Sequence, residues 1–202
     1  MKAIIEPLFP IPVYFSNLER EFSKQEKNLI AKCKKRTFRN KGNASSTDTY
    51  LLETKPFKKL KKELFLRVQH YFDTVLCYKN VTPYITQSWL SYTETAEYHH
   101  SHEHPNSIVS GVLYVNADKK NDRVTFLKQD YKQIRPQIRE FNTFNSSSWW
   151  FPVQTGEIIL FPSSLTHMVE TKKGDNTRIS LSFNVFIKGT LGTKQELIEL
   201  IL

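Results

Sequence analysis

Arg178-Ile179-Ser180-Leu181-Ser182-Phe183-Asn184-Val185-Phe186-Ile187 alternates along its length, with Ile179, Leu181, Phe183, Val185 and Ile187 on one side and Arg178, Ser180, Ser182 and Asn184 on the other. Side chains of an extended chain point to opposite faces in turn, so this stretch predicts a strand with one face in a core. A polar face turned to water would give the same pattern. Arg178, however, follows His167 closely enough for neighbouring strands to bring both into one pocket. A guanidinium also binds a carboxylate through two parallel, charge-assisted hydrogen bonds that a lysine cannot reproduce. The strand therefore reads as a barrel wall whose polar side lines a site.

β-rich segments precede this strand at roughly 84–93, 107–116, 123–128, 157–161 and 165–170. Before Asn80 the period is helical. Ser16 and Glu19 have the spacing of a capping box, and Leu18, Phe22, Leu29 and Cys33 predict a helix over about 17–35. Pro56 opens a second, whose buried stripe is Phe57, Leu60, Leu64, Val68, Tyr71 and Val75. Two helices followed by a run of strands cannot form βαβ units. The expected class is mainly β (α+β): a double-stranded β-helix of jelly-roll or cupin-like type, braced by N-terminal helices. We read 1–202 as one domain, with an N-terminal strand and supporting helices in 1–80, the β-helix core in 81–190 and a short terminal helix in 191–202. The connection from Gln129 to Thr155 is far longer than the usual 4 to 6 residues and carries Phe141, Phe144, Trp149, Trp150 and Phe151, so it is expected to cover the site.

Composition narrows the class further. Only Cys33 and Cys77 are present, which fits a reducing compartment better than a disulfide scaffold. Glu6, Pro7, Pro10 and Pro12 interrupt the apolar start, which reads as an entering strand, and no run reaches the ~18 apolar residues of a membrane span. A cytoplasmic protein without membrane partners is expected. The net charge is +9, and residues 1–75 hold 16 Lys and Arg against 8 Asp and Glu. That field suits an acidic protein or a nucleic acid, although a solvated helix face explains it as simply.

Four of the six histidines lie in His99-His100-Ser101-His102-Glu103-His104. Imidazoles separated by one residue at a strand's edge point to the same side, so His102 and His104 can reach one divalent ion. His100 with His102 is an open alternative. In Gly156-Glu157-Ile158-Ile159-Leu160-Phe161-Pro162 and the strand after it, His167 sits between Leu165 and Val169. A histidine so placed is more often a satisfied core residue, but it would supply the third nitrogen that the pair lacks.

Taken in order, His-x-His-Pro-x-Ser-x-x-Ser-Gly-Val-x-Tyr-Val (102–115), Gly-x-Ile-Ile-Leu-Phe-Pro-Ser-x-Leu-x-His (156–167) and Arg-x-Ser-x-Ser-Phe-Asn (178–184) resemble the 2-oxoglutarate- and iron(II)-dependent oxygenases of bacteria and phages, relatives of the prolyl hydroxylases. The resemblance covers roughly residues 84–187. It implies a metal centre of His102, His104 and His167, with Arg178 on the remote carboxylate of 2-oxoglutarate, aided by Tyr114, Ser180 and Asn184. It also implies Fe(II), 2-oxoglutarate and O2 as the chemical components and hydroxylation of an unidentified substrate, with a peptidyl side chain preferred by analogy. One departure stands out. The wider superfamily uses two histidines and a carboxylate, and His104 occupies the carboxylate's place. Glu103 could compensate, but strand alternation turns it away. A cupin-type three-histidine enzyme that does not use 2-oxoglutarate, a non-catalytic β-helix binding module and a nucleic-acid demethylase are the competing readings.

Overall fold

The computed structural model describes residues 1–129 and 136–202. In chain order the elements are β1 (Tyr14–Asn17), α1 (Lys24–Lys34), β2 (Thr37–Arg39), β3 (Ala44–Ser46), α2 (Lys58–Tyr71), β4 (Val81–Thr93), β5 (His99–His102), β6 (Val109–Asn116), β7 (Arg123–Leu127), β8 (Ser148–Pro152), β9 (Glu157–Pro162), β10 (His167–Val169), β11 (Arg178–Leu191) and β12 (Leu200–Ile201). The strands form two antiparallel sheets. The larger has the order β1-β9-β6-β11-β4-β3-β2, with β12 added to β11, and the smaller the order β5-β10-β7-β8. This is the expected mainly β jelly roll.

Strand alternation sorts side chains into two layers. One face of the larger sheet presents Leu90, Leu113, Leu160, Leu181 and Phe183 to Leu60, Leu64 and Val68 of α2 and Ile30 of α1, forming one apolar core. The opposite face presents Tyr114, Ile159 and Phe161 to Val124 and Phe126 of the smaller sheet. Gly111 of β6 is where the first layer is tightest, since a Cβ there would lie 2.1 Å from Cζ of Phe183.

The helices start later than their sequence signals. Ser16 lies in β1, paired with Ile158, so its backbone is committed to the sheet. The capping box is instead Ser23 with Glu26, and α1 begins at Lys24. In the second helix Pro56 opens a 3-10 turn that leads into α2. Phe57, Leu60, Leu64, Val68 and Tyr71 are fully buried as expected. Val75 is not, because the helix widens into a π-turn over Phe72–Leu76, which turns Phe72 into the core instead. The terminal helix expected over 191–202 is absent: Lys194 to Leu197 form a turn and β12 follows. The entering strand is confined to Tyr14–Asn17.

The long connection also differs from its expected role. It contains β8, which extends the smaller sheet beside β7, pairing Trp150 with Thr125 and Phe151 with Val124. Phe151 packs against Phe15 at 4.8 Å between ring centroids, while Phe141 and Phe144 are exposed. Part of the expected cover, residues 130–135, lies outside the described residues. No helix among the described residues is long and apolar enough to cross a membrane.

Candidate metal centre and carboxylate pocket

Two strands of the smaller sheet and the segment just after β5 deliver the histidines. His102 ends β5 and pairs with His167 of β10, while His99 pairs with Val169. Four residues of β5 thus oppose three of β10, a β-bulge that lets His99 and His102 both face inward despite their spacing. His104 lies just beyond β5, held where its N–H donates to the Ser163 carbonyl (3.0 Å). A ring nitrogen from each of His102, His104 and His167 lies within 4.8 Å of the others. His100 does not line the cavity; its Nδ1 lies 3.3 Å from the Lys41 carbonyl.

Outer contacts fix the rings. Nδ1 of His102 lies 2.7 Å from the His100 carbonyl, and Nδ1 of His167 lies 3.0 Å from the Leu165 carbonyl. A carbonyl can only accept, so both Nδ1 atoms carry the proton and both Nε2 lone pairs are free for a ligand bond, as in metal-binding histidines. Nε2 of His104 and Nε2 of His167 are 3.3 Å apart. Two nitrogens each about 2.1 Å from one divalent ion have such a separation. Burial, with neighbouring imidazoles second, pushes His104 down to about 4 and His167 to about 3. His102 is lowered too, chiefly by burial. All three are neutral near pH 7, the state in which imidazole takes a metal.

No carboxylate joins this group among the described residues. Glu103 is turned outward, accepting from Gln129 Nε2 (2.6 Å) and from the Thr166 hydroxyl. The donor set is therefore three neutral nitrogens, which suits a divalent transition metal such as iron, zinc or nickel better than magnesium or calcium.

From the histidines the cavity runs between the sheets to Arg178, past Ser91, Tyr114, Ser180 and Ser182. Arg178 is 3% exposed, and its Nη2 donates to Thr93 Oγ1 (3.1 Å). Burial lowers its pKa, yet among the described residues no carboxylate lies within ion-pair range of it. A buried guanidinium with no anion is costly unless a ligand provides one. Two polar atoms on the same wall, Asn43 Oδ1 and Ser91 Oγ, are buried without a hydrogen-bond partner. Burial pushes the Tyr114 phenol well above its ordinary value, so it remains a hydrogen-bond donor. The free space, about 40 Å³, holds a water molecule or two, so seating a dicarboxylic acid requires side chains to move.

The structure thus brings His102, His104, His167, Arg178, Tyr114 and Ser180 to one cavity. It does not bring Asn184, which faces Ser110 (3.4 Å) away from the cavity. Reading the strands alone misses Asn43, Trp89, Ser91 and His99, which also line it. His99 stacks on His102 at 4.4 Å and 21°. Its position in the histidine run was a signal. Asn43, from the short β2–β3 turn, had none.

No curated protein sequence matches the chain. Among solved structures, the chain is similar to an oxidoreductase of the 2OG-Fe(II) oxygenase family from Burkholderia pseudomallei, with TM-score 0.51, 13% identity, and 86% of this chain and 83% of that one covered. It is similar to HygX from Streptomyces hygroscopicus, solved with nickel, 2-oxoglutarate and hygromycin B, with TM-score 0.59, 11% identity, and 87% and 82% covered. It is also similar to SnoN, a non-heme alpha-ketoglutarate-dependent epimerase from nogalamycin biosynthesis, with TM-score 0.60, 10% identity, and 87% and 78% covered. At these identities the likeness is one of fold. The sequence itself matches, over residues 87–184, the family described as "Putative 2OG-Fe(II) oxygenase". That segment, running from β4 into β11, carries all three converging histidines and Arg178, and over it the chain is similar to the 2OG-Fe(II) oxygenase family.

Proposed function

We propose that this protein is an iron(II)- and 2-oxoglutarate-dependent dioxygenase that hydroxylates an organic substrate, releasing succinate and carbon dioxide. The observation that carries the reading is the convergence on one cavity of three neutral imidazoles and a buried guanidinium that lacks an anion. His102, His104 and His167 hold the metal. Arg178 takes the remote carboxylate of the co-substrate, with Tyr114 and Ser180 beside it. Together with bound 2-oxoglutarate and dioxygen, iron(II) supplies an oxidant able to take hydrogen from carbon.

The chain's own residues orient and exclude. The carbonyls of His100 and Leu165 hold the rings of His102 and His167 so that Nε2 faces the cavity. Thr93 holds the guanidinium at one corner, leaving its other N–H groups for a carboxylate. Ser91 and Asn43 have buried atoms in need of partners, which suits a polar co-substrate rather than an apolar one. Val112, Val124 and Val169 close the space between them and keep bulk water out.

The charge balance favours an anionic co-substrate. Three neutral ligands leave the full charge of a divalent ion, and Arg178 adds one more positive charge. A dicarboxylate that touches both relieves both.

The test is decarboxylation of 2-oxoglutarate by the iron-loaded protein, followed as succinate. Wild type is expected to produce succinate, His167→Ala none. Arg178→Lys should raise the KM for 2-oxoglutarate about tenfold or more, because one of two charge-assisted bonds is lost. Full turnover by His167→Ala, or an unchanged KM in Arg178→Lys, would contradict the reading.

A further inference from the structure

Beyond Arg178, on the far side from the histidines, a second and larger cavity of about 370 Å³ opens to solvent. Its walls come from the β6–β7 turn, the ends of β7 and β8 and the segment after β10, and Arg178 and Val169 line both cavities. The volume falls in the range that small-molecule sites occupy.

The electrostatics of this second cavity are one-sided. Two of its cations are matched: Arg123 is bonded to Glu170, and Lys172, wholly buried, lies 3.5 Å from Asp122 and 2.8 Å from Asn176 Oδ1. Lys119, Lys120, Lys173 and Arg178 have no carboxylate within ion-pair range among the described residues. The nearby Asp118 is taken up by the Lys120 backbone N–H (3.0 Å) and Asn121 Nδ2 (2.6 Å). The pocket also has a flat apolar wall. Trp150 is half-exposed, and the Arg123 guanidinium lies over its ring, 5.1 Å from the centroid.

Unmatched lysines act as mobile point charges suited to phosphoryl oxygens, and an indole offers a stacking surface to a planar ring. We propose that this outer cavity binds a nucleoside phosphate, its phosphates on Lys119, Lys120 and Lys173 and its base against Trp150. Arg178 connects this site to the inner one. If the proposed function holds, an anion in the outer cavity weakens the pull of Arg178 on a carboxylate in the inner one, so the two ligands oppose each other.

Calorimetric titration of the metal-free protein with ADP tests the site independently of any oxygenase activity. Saturable 1:1 binding is expected, weakened about tenfold or more in Lys119→Glu/Lys173→Glu and also weakened in Trp150→Ala. These positions are exposed, and circular dichroism confirms that the variants fold. Pyrophosphate should bind more weakly than ADP. A short single-stranded oligonucleotide tells the source of the nucleotide: tighter binding than ADP assigns it to nucleic acid, weaker binding to a free nucleotide. Absence of saturable ADP binding, equal affinity for ADP and pyrophosphate, or affinity unchanged in the double variant would overturn the proposal.

Discussion

At the scale of single residues, the unusual feature is His104, which stands where the oxygenases that the sequence resembles have a carboxylate. His104 is placed by its backbone bond to Ser163 and its ring faces that of His167, 20° from parallel with centroids 5.1 Å apart. His104→Ala should weaken metal binding by more than the roughly 10–100-fold that losing an outer partner costs. His104→Asp restores two histidines and one carboxylate and should keep the metal. Because it adds a negative charge beside the ion, it should weaken 2-oxoglutarate binding relative to wild type. Calorimetry with a redox-inert divalent ion, with and without 2-oxoglutarate, checks both; a His104→Asp variant that loses the metal as completely as His104→Ala would contradict the role given to His104. Much of this was legible in the sequence, since His102, His104, His167 and Arg178 stand in recognisable segments. Asn43 was not, because it reaches the cavity through a turn between two short strands that no local pattern announces. Asn184 was misplaced for another reason: alternation does keep it on the face of Ser182, but it lies farther along β11, opposite Ser110 and past the end of the cavity.

At the scale of elements, the position of the site depends on helices that never touch it. Arg20, before α1, donates to Glu26 of α1 and Glu63 of α2 at 2.6 to 3.0 Å. Burial alone would raise the Glu26 carboxyl, but the bonds from Arg20 and Ser23 outweigh it and hold the group below its ordinary value of 4.5. A depressed folded-state value means stability that is present above 4.5 and lost as pH falls through the folded value. The melting temperature should therefore drop on acidification below that point, and Glu26→Gln should flatten the drop. Arg20→Ala, which strands a carboxylate whose side chain is 2% exposed, should cost about 3–5 kcal/mol in chemical denaturation. Gly111→Ala tests the other side of the core: with Phe183 in the way, it should cost about 1–3 kcal/mol. A variant as stable as wild type would mean that β6 and β11 are not packed as described. The sequence announced α2 and the long strands, whose periods are sustained. It misled on α1 and on the terminus because isolated cap signals and short apolar runs mean little until pairing partners are known. Ser16 reads as a cap until Ile158 claims it, and Leu200 reads as helical until Leu191 pairs with it.

At the scale of the whole molecule, charge is arranged differently from its distribution along the chain. The linear excess lies in residues 1–75, yet folding gathers Lys119, Lys120, Lys173 and Arg178, from the later part of the chain, into one cavity. The two sheets make a passage with histidines in it at one end and a guanidinium at the other, an arrangement that only the pairing of distant strands creates. That passage is the basis of the proposed chemistry, and its occupancy can be observed without knowing the substrate. The direct measurement is an anaerobic titration of the protein with iron(II) and then 2-oxoglutarate, followed in the visible spectrum. A charge-transfer band is expected to grow to one equivalent of each in wild type, to need a higher 2-oxoglutarate concentration in Arg178→Ala and to be missing in His167→Ala. A wild-type protein that binds no iron, or that binds iron but gives no band at saturating 2-oxoglutarate, would contradict the account.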